Sequence, residues 1–499
     1  MKLFENPIFL TQKRLVHRGG VLAAILIAAL VGLSLLAGLI ADLADPLNFP
    51  NIRSPQEAGK IFYGWTIGVE ILVLVIGGFS RISSVLVNER KAGLWDSNRL
   101  TPLKPSQLVV GYWFGSPLRE FYMAAILAGT GFFIVLLGKL PMTLWLGTQI
   151  LIFSTALFFG LLAVIVGLVL QKPQAGIAFI ALLFFLQMPS FTLPKFLLTN
   201  FLLPVYGIAN LFHVSDDSGN SYSVNSWSGL PEIFNLPVYP ILLSLILQTL
   251  IGIFLWRAAI RKTANPFRPS LFRWEAVAIF GILLFTQHGL IWNLWHGQIP
   301  TGNHRYDNYE PLMAIVHCGT IFLAIIILAA AGLQLEIVRL KILRLKIKNL
   351  GAIFPESSVA LAFVLAAVAG AILLTQFIHS TDSDSWKIYF IALGNLLTFF
   401  LIFSLLLEFC RLRHKRRALG FVALWLFILC ILPFILAAVF TNATFARLSL
   451  LAPGVVALAN PADENLNNLL GIVAAHFGIV ILLFLGWRRQ WKQLLARAV

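Results

Sequence analysis

Apolar residues in this chain fall in long blocks separated by short polar or basic stretches. About twelve of the blocks are long enough to cross some 30 Å of hydrocarbon as helices. The expected spans are Val21–Ala41, Ile61–Val87, Tyr112–Leu137, Leu144–Leu170, Ala175–Leu193, Val238–Trp256, Glu275–Trp295, Leu312–Leu335, Val359–Ile378, Ile388–Phe409, Leu419–Phe440 and Leu469–Trp487. The pattern therefore predicts an all-α polytopic membrane protein.

Three stretches depart from simple crossing. Before the first span, Asn6 suits an N-cap and Pro7 a first helical position. Ile8, Phe9, Leu15 and Val16 then share one side of a helix, with Lys13, Arg14, His17 and Arg18 nearly opposite. That is the pattern of an amphipathic helix lying on a membrane surface. Residues 196–212 are apolar but broken by Pro204 and Gly207, which predicts a re-entrant or interfacial hairpin on the outer side. The third stretch, residues 88–111, reads NERKAGLWDSNRLTPLKPSQLVVG. Gly93 interrupts it, Leu94–Leu100 has the makings of a short amphipathic turn, and Thr101-Pro102-Leu103-Lys104-Pro105 forces an extended corner. Ser106 is placed to cap the helix that follows. The whole reads as a rigid, polar-faced elbow; the alternative is a plain basic loop.

Composition agrees with the pattern. The chain is 59% hydrophobic and 12% charged, far from a soluble domain. Its three cysteines all lie in apolar blocks, without metal spacing or a disulfide framework. The first apolar block is too long for a cleavable signal. The net charge of +16 is carried by clusters next to span ends, at Arg257–Arg273, Arg339–Lys348, Arg411–Arg417 and Arg488–Arg497, so orientation and anionic lipid explain it and nucleic acid does not. With both termini cytoplasmic, about 30 of the 37 Lys and Arg residues fall inside, the asymmetry that sets topology.

The elbow carries a family resemblance. Glu89, Arg90, Gly93, Leu100, Thr101, Pro102, Leu103 and Pro105, between the second and third spans, resemble the coupling region of ABC transporter permeases of the type-2 exporter class. The resemblance is specific over about twenty residues and architectural elsewhere. It implies a separate ATPase subunit as partner, ATP and magnesium bound there and no cofactor in this chain. ATPase contacts are expected through Glu89, Arg90, Gly93, Trp95, Arg99, Thr101, Pro102 and Pro105. It further implies a multi-pass protein of a bacterial plasma membrane.

A faint internal repeat points to two six-span halves, 1–262 and 263–499. Asn6-Pro7-Ile8-Phe9 matches Asn265-Pro266-Phe267, and Glu89 with Pro105 match Glu336 with Pro355. Leu203-Pro204-Val205 through Asn210 matches Ala452-Pro453-Gly454 through Asn460, and the last spans end in Trp256-Arg257 and Trp487-Arg488. The second coupling loop lacks the Thr-Pro corner and reads as a basic amphipathic helix. Whether one chain forms a pseudo-dimer or two chains a homodimer stays open.

Few residues invite chemistry. There is no Gly-x4-Gly-Lys-Ser/Thr phosphate loop. His288, His296 and His304 repeat every eight residues, and His317-Cys318 follows; without clustered acids these read as satisfied or interfacial histidines rather than metal ligands. Among the ionisable residues inside or at the head of spans, Glu70, Arg119 and Glu120 are the candidates, where function competes with structural pairing. Arg81 lies about 16 Å from Glu70 along the helix, too far to pair with it. The expectation is a non-enzymatic permease subunit of an ATP-driven exporter, moving a lipid, glycan, drug or peptide-like substrate. The alternatives are a membrane enzyme acting on lipid or glycan and a non-catalytic assembly subunit.

Overall fold

The computed structural model describes residues 5–18, 20–44, 54–169, 198–203, 205–214, 231–234, 236–265, 268–295, 309–331, 357–377, 383–414, 424–433, 449–451 and 466–498, with a few single positions between. Among them, nine helices are long and apolar enough to cross a membrane, and a tenth apolar helix, Val316–Ala331, is shorter. The chain is an integral, multi-pass, helical membrane protein. The span expected at Ala175–Leu193 and parts of Leu419–Phe440 lie outside the described residues, as do His296, His304, Glu336, Pro355 and the Arg339–Lys348 cluster.

The chain divides into two compact units, Met1–Pro231 with Pro237–Pro266, and Glu232–Leu236 with Phe267–Val499. In the first, α1 (Pro7–Arg18) precedes α2 (Val21–Ala44). Next comes α3, Pro55–Lys91, whose first turn is capped by the Ser54 hydroxyl, with Pro55 at the position that needs no N–H. A π-helical turn, Leu72–Gly77, interrupts α3 midway, just after Glu70. The elbow supplies α4 (Leu94–Leu100) and α5 (Pro105–Gly115), followed by α6 (Leu118–Leu137) and α7 (Met142–Val169). The third apolar block, expected as one helix, is thus broken at Ser116–Pro117, where proline has no N–H to continue the ladder. Two short helices, α8 (Thr199–Leu202) and α9 (Val205–Val214), pack on α10 (Pro240–Ala264), and α9 also packs on α7, with Phe201 and Tyr206 fully buried.

The second unit contains α11 (Arg273–Trp295), α12 (Tyr309–Ala331), α13 (Ser358–Phe377), α14 (Ser383–His414) and α15 (Leu466–Ala498). Glu275 accepts from the Phe272 N–H at 2.9 Å and so satisfies an orphan donor at the start of α11. Glu232–Leu236 groups with this unit because the Phe234 N–H donates to Gly289 O at 3.1 Å, while its ring lies against Phe285 and Trp292.

Apolar surface faces outward as well as inward. Only 22% of the most apolar window of α2 and 17% of that of α15 is buried, leaving Leu22, Leu30, Leu33, Ile481 and Leu482 more than half exposed. At about 25 cal/mol per Å² such faces are costly in water and at ease against lipid chains.

Candidate functional site

The elbow is built on a buried junction of four helices. Asn6 caps α1: its Oδ1 accepts from the Ile8 N–H at 3.0 Å, and its Nδ2 donates to Gln107 O on α5 at 2.7 Å. The apolar side of α1 therefore meets protein. Ile8, Phe9 and Val16 are buried, whereas Leu15 is 52% exposed and falls outside the face the periodicity had given it. Lys13 and Arg14 remain exposed. The backbones come close because α5 offers glycine. A Cβ on Gly111 would stand 2.7 Å from Ile8 Cβ, and one on Gly115 would stand 3.0 Å from Gln12 Cβ and 3.3 Å from Phe9 Cα.

Glu89, near the end of α3, is the hub. Its Oε1 accepts from Gln12 Nε2 at 2.7 Å, and its Oε2 accepts from the Tyr112 hydroxyl on α5. That hydroxyl in turn accepts from Asn98 Nδ2 on α4 at 2.8 Å, and the Trp95 ring packs 5.4 Å from the Tyr112 ring. Burial, and then the Glu89 carboxylate beside it, push the Tyr112 phenol above its ordinary range. Tyr112 is on α5, ahead of the crossing helix α6. It stays a donor, and all four helices end on one hydrogen-bonded carboxylate. Arg90 points the other way, its guanidinium donating to Gly167 O at 3.2 Å and Leu168 O at 2.6 Å, the otherwise orphan carbonyls at the end of α7.

Of the residues named from sequence, Glu89 and Arg90 are half-buried and committed inside the unit, and Trp95 is 4% exposed. Gly93 has φ +75°, a left-handed turn that glycine adopts without strain, and it starts α4. Thr101 and Lys104 are extended, as the Thr-Pro and Lys-Pro pairs require. Pro105 is half-buried at the first position of α5, and the Arg99 side chain lies outside the described residues. Ser106 is not the cap of α5. The helix opens at Pro105 after Lys104, whose N–H donates to the Gln107 side chain at 2.8 Å, because proline takes the first helical position. The outward face of the elbow consists of Leu94 (55% exposed), Leu100 (89%), Pro102, Asp96, Lys91 and Lys104.

The intramembrane candidates do not form one site. Glu70 is buried on α3 and accepts from Gln149 Nε2 on α7 at 3.0 Å, next to the buried Tyr63–Thr148 hydroxyl pair. Arg119 and Glu120 bond each other at 2.8 Å at the head of α6. Glu120 lies beside Gly77 and so stands about 10 Å of helix from Glu70. Sequence reasoning missed Gln12, Asn98, Gln107, Tyr112 and Gln149, which are ordinary polar residues with nothing in their spacing to mark them. It could have found Gly111 and Gly115, whose small-x3-small spacing signals close helix packing.

The second unit has its own polar junction. Glu408 on α14 accepts from the Ser358 N–H at the start of α13 and from Trp487 Nε1 on α15 at 2.6 Å. Arg411 donates to Ala329 O at the end of α12 at 3.3 Å. Among the described residues no group of three or more His, Cys, Asp or Glu could hold a metal ion. No family model, curated protein or solved structure matches this chain.

Proposed function

We propose that the chain is the membrane subunit of an ATP-driven exporter of the type-2 permease kind, with ATP bound and hydrolysed by a separate subunit that docks on the elbow. One observation carries this reading: α4 is held stiffly on the ends of α3 and α5 through Glu89, Tyr112 and Trp95, while Leu94, Leu100 and Pro102 face outward. An apolar knob on a rigid mount transmits a push. An exposed loop of no function has no reason to bury its carboxylate and present its leucines. In this reading Glu89, Arg90 and Trp95 position the elbow, and Leu94, Leu100, Pro102 and Lys104 meet the ATPase. The substrate is a lipid, glycan, drug or peptide-like molecule.

The reading includes two six-span halves, and a recurring packing order supports it. In the first unit α2 packs on α3 and α6, α3 on α6 and α7, α6 on α7, and α7 on α10. In the second, α11 packs on α12 and α13, α12 on α13 and α14, α13 on α14, and α14 on α15. The order is the same for spans one to four and six of each half. An arginine also ties the ends of the second and fourth spans in both: Arg90 from the second to carbonyls of the fourth, Arg411 from the fourth to a carbonyl of the second.

The test is purification of the tagged full-length chain from its native membranes, followed by assay of ATP hydrolysis. An ATP-hydrolysing protein that co-purifies with the wild type and is lost from Leu100→Asp, with membrane insertion unchanged, supports the proposal. Absence of such a protein from the wild-type preparation overturns it.

A further inference from the structure

His288 on α11 and His317 on α12 line one small cavity inside the second unit, closed by Thr320, Ala369 and Leu396 among others. The donors and acceptors around it can be assigned from an outer fixed point. Leu450 O is a carbonyl and can only accept, so the Asn395 amide that reaches it at 2.7 Å does so through Nδ2. Asn395 Oδ1 is thereby turned toward His317 Nε2 at 2.9 Å, and that nitrogen must carry the hydrogen. In the neutral imidazole the other nitrogen, Nδ1, is then a bare acceptor. His288 follows the same logic: Nδ1 lies 3.0 Å from Leu284 O and must donate, leaving Nε2 as an acceptor. Thr320 has given its hydroxyl hydrogen to Val316 O at 2.9 Å.

The residues that line the cavity thus carry three lone-pair groups whose hydrogens are given elsewhere or absent, and among the described residues no hydrogen bond reaches either remaining ring nitrogen. Two acceptors cannot bond each other. Buried acceptors left empty are costly, and in a membrane core no bulk water relieves them. The space measures about 10 Å³, at the lower limit that admits a water of about 10–15 Å³. We infer that this cavity is a binding site for a single water molecule, which donates one hydrogen to each histidine and joins α11 to α12. The join extends further, because His317 holds Asn395 on α14 and Asn395 holds Leu450. A Cβ on Gly454 would stand 2.2 Å from His317 Nε2, so glycine is needed for the chain to pass over this pair. One water then completes a chain of polar contacts through three spans and the Leu450–Gly454 segment. The inference is independent of any ATPase.

Ala369, 1% exposed on α13, gives the means to test it. In Ala369→Val the added methyls occupy the water's place and leave both imidazoles without a donor. The purified full-length protein in detergent is expected to unfold a few degrees lower than wild type. In the His288→Leu background one acceptor is gone, and the same Ala369→Val change is expected to be neutral or to raise the unfolding temperature. A rise from Ala369→Val with both histidines intact would mean a dry void and overturn the site. An equal fall in both backgrounds would mean simple overpacking and overturn it too. Added zinc or cuprous ion that stabilises the wild type saturably but not His288→Leu would replace water by metal and likewise overturn it.

Discussion

Gln12 donates to Glu89 at 2.7 Å across 77 positions of sequence, so the helix before the first span is tied to the end of the second. The same carboxylate receives Tyr112, and each partner is at least half-buried. Removing the carboxylate strands two donors. Glu89→Ala is expected to destabilise the protein by about 2 kcal/mol, and Glu89→Gln by less, since an amide oxygen still accepts from Tyr112. Chemical or thermal unfolding of the two variants in detergent checks the order. Equal stability of Glu89→Ala and wild type would show that the junction carries no weight.

The crossing of α1 over α5 depends on two missing side chains. Gly111→Val would drive a branched side chain into Ile8, where even a Cβ stands at 2.7 Å. Undocking of α1 is the expected result, read as faster protease cleavage within residues 1–20 while the spans remain inserted. Gly129→Ala on α6 is the control, since a Cβ there meets nothing within 4 Å, and its cleavage should match wild type.

What could be read from the chain and what could not divide along physical lines. The helices were legible because hydrocarbon demands long apolar blocks, and the blocks found are close to those expected: Val359–Ile378 became Ser358–Phe377, and Leu144–Leu170 became Met142–Val169. The cap at Asn6 and the extended Thr101–Pro105 corner were legible because their chemistry is local. The π turn at Leu72–Gly77 was not, since LVLVIG continues the apolar block and nothing in its pattern marks a change of helix type. Nor was the inward turn of Glu89, because its partners Gln12 and Tyr112 lie 77 and 23 positions away. Exposure along the elbow is mixed rather than purely polar: Glu89 and Arg90 bond internally, and Leu100 stands out at 89% beside the exposed Lys91, Asp96 and Lys104.

The basic clusters at span ends predict a cytoplasmic elbow, and the described residues offer a clean pair of probes. Lys104 lies in the elbow, and Lys139 in the turn between α6 and α7, at φ +52°; both are exposed. One crossing helix, α6, separates them. With the elbow cytoplasmic, a cysteine at 139 should react with an impermeant thiol reagent in intact cells, and one at 104 only after permeabilisation. The reverse pattern would turn the topology over and remove the elbow from any cytoplasmic ATPase.

The stoichiometry of the assembly is the sharpest consequence of reading two halves in one chain. A path between halves needs two six-span bodies, and paired ATPases need two mounts. The recurrence of the packing order from α2–α10 in α11–α15 favours a single chain that supplies both bodies. The mounts are less alike. The first half presents α4 on the Glu89 junction, whereas the second draws its carboxylate, Glu408, inward to Ser358 and Trp487. Glu408 is 1% exposed where Glu89 is only half-buried, so the second junction should open to water more rarely. Native mass measurement of the purified complex is expected to give one copy of this chain with two ATPase subunits. Hydrogen exchange should then be slower around Ser358 and Glu408 than around Trp95 and Asn98. Two copies of the chain with two ATPases would mean that each contributes its first-half elbow, and the single-chain form would fall.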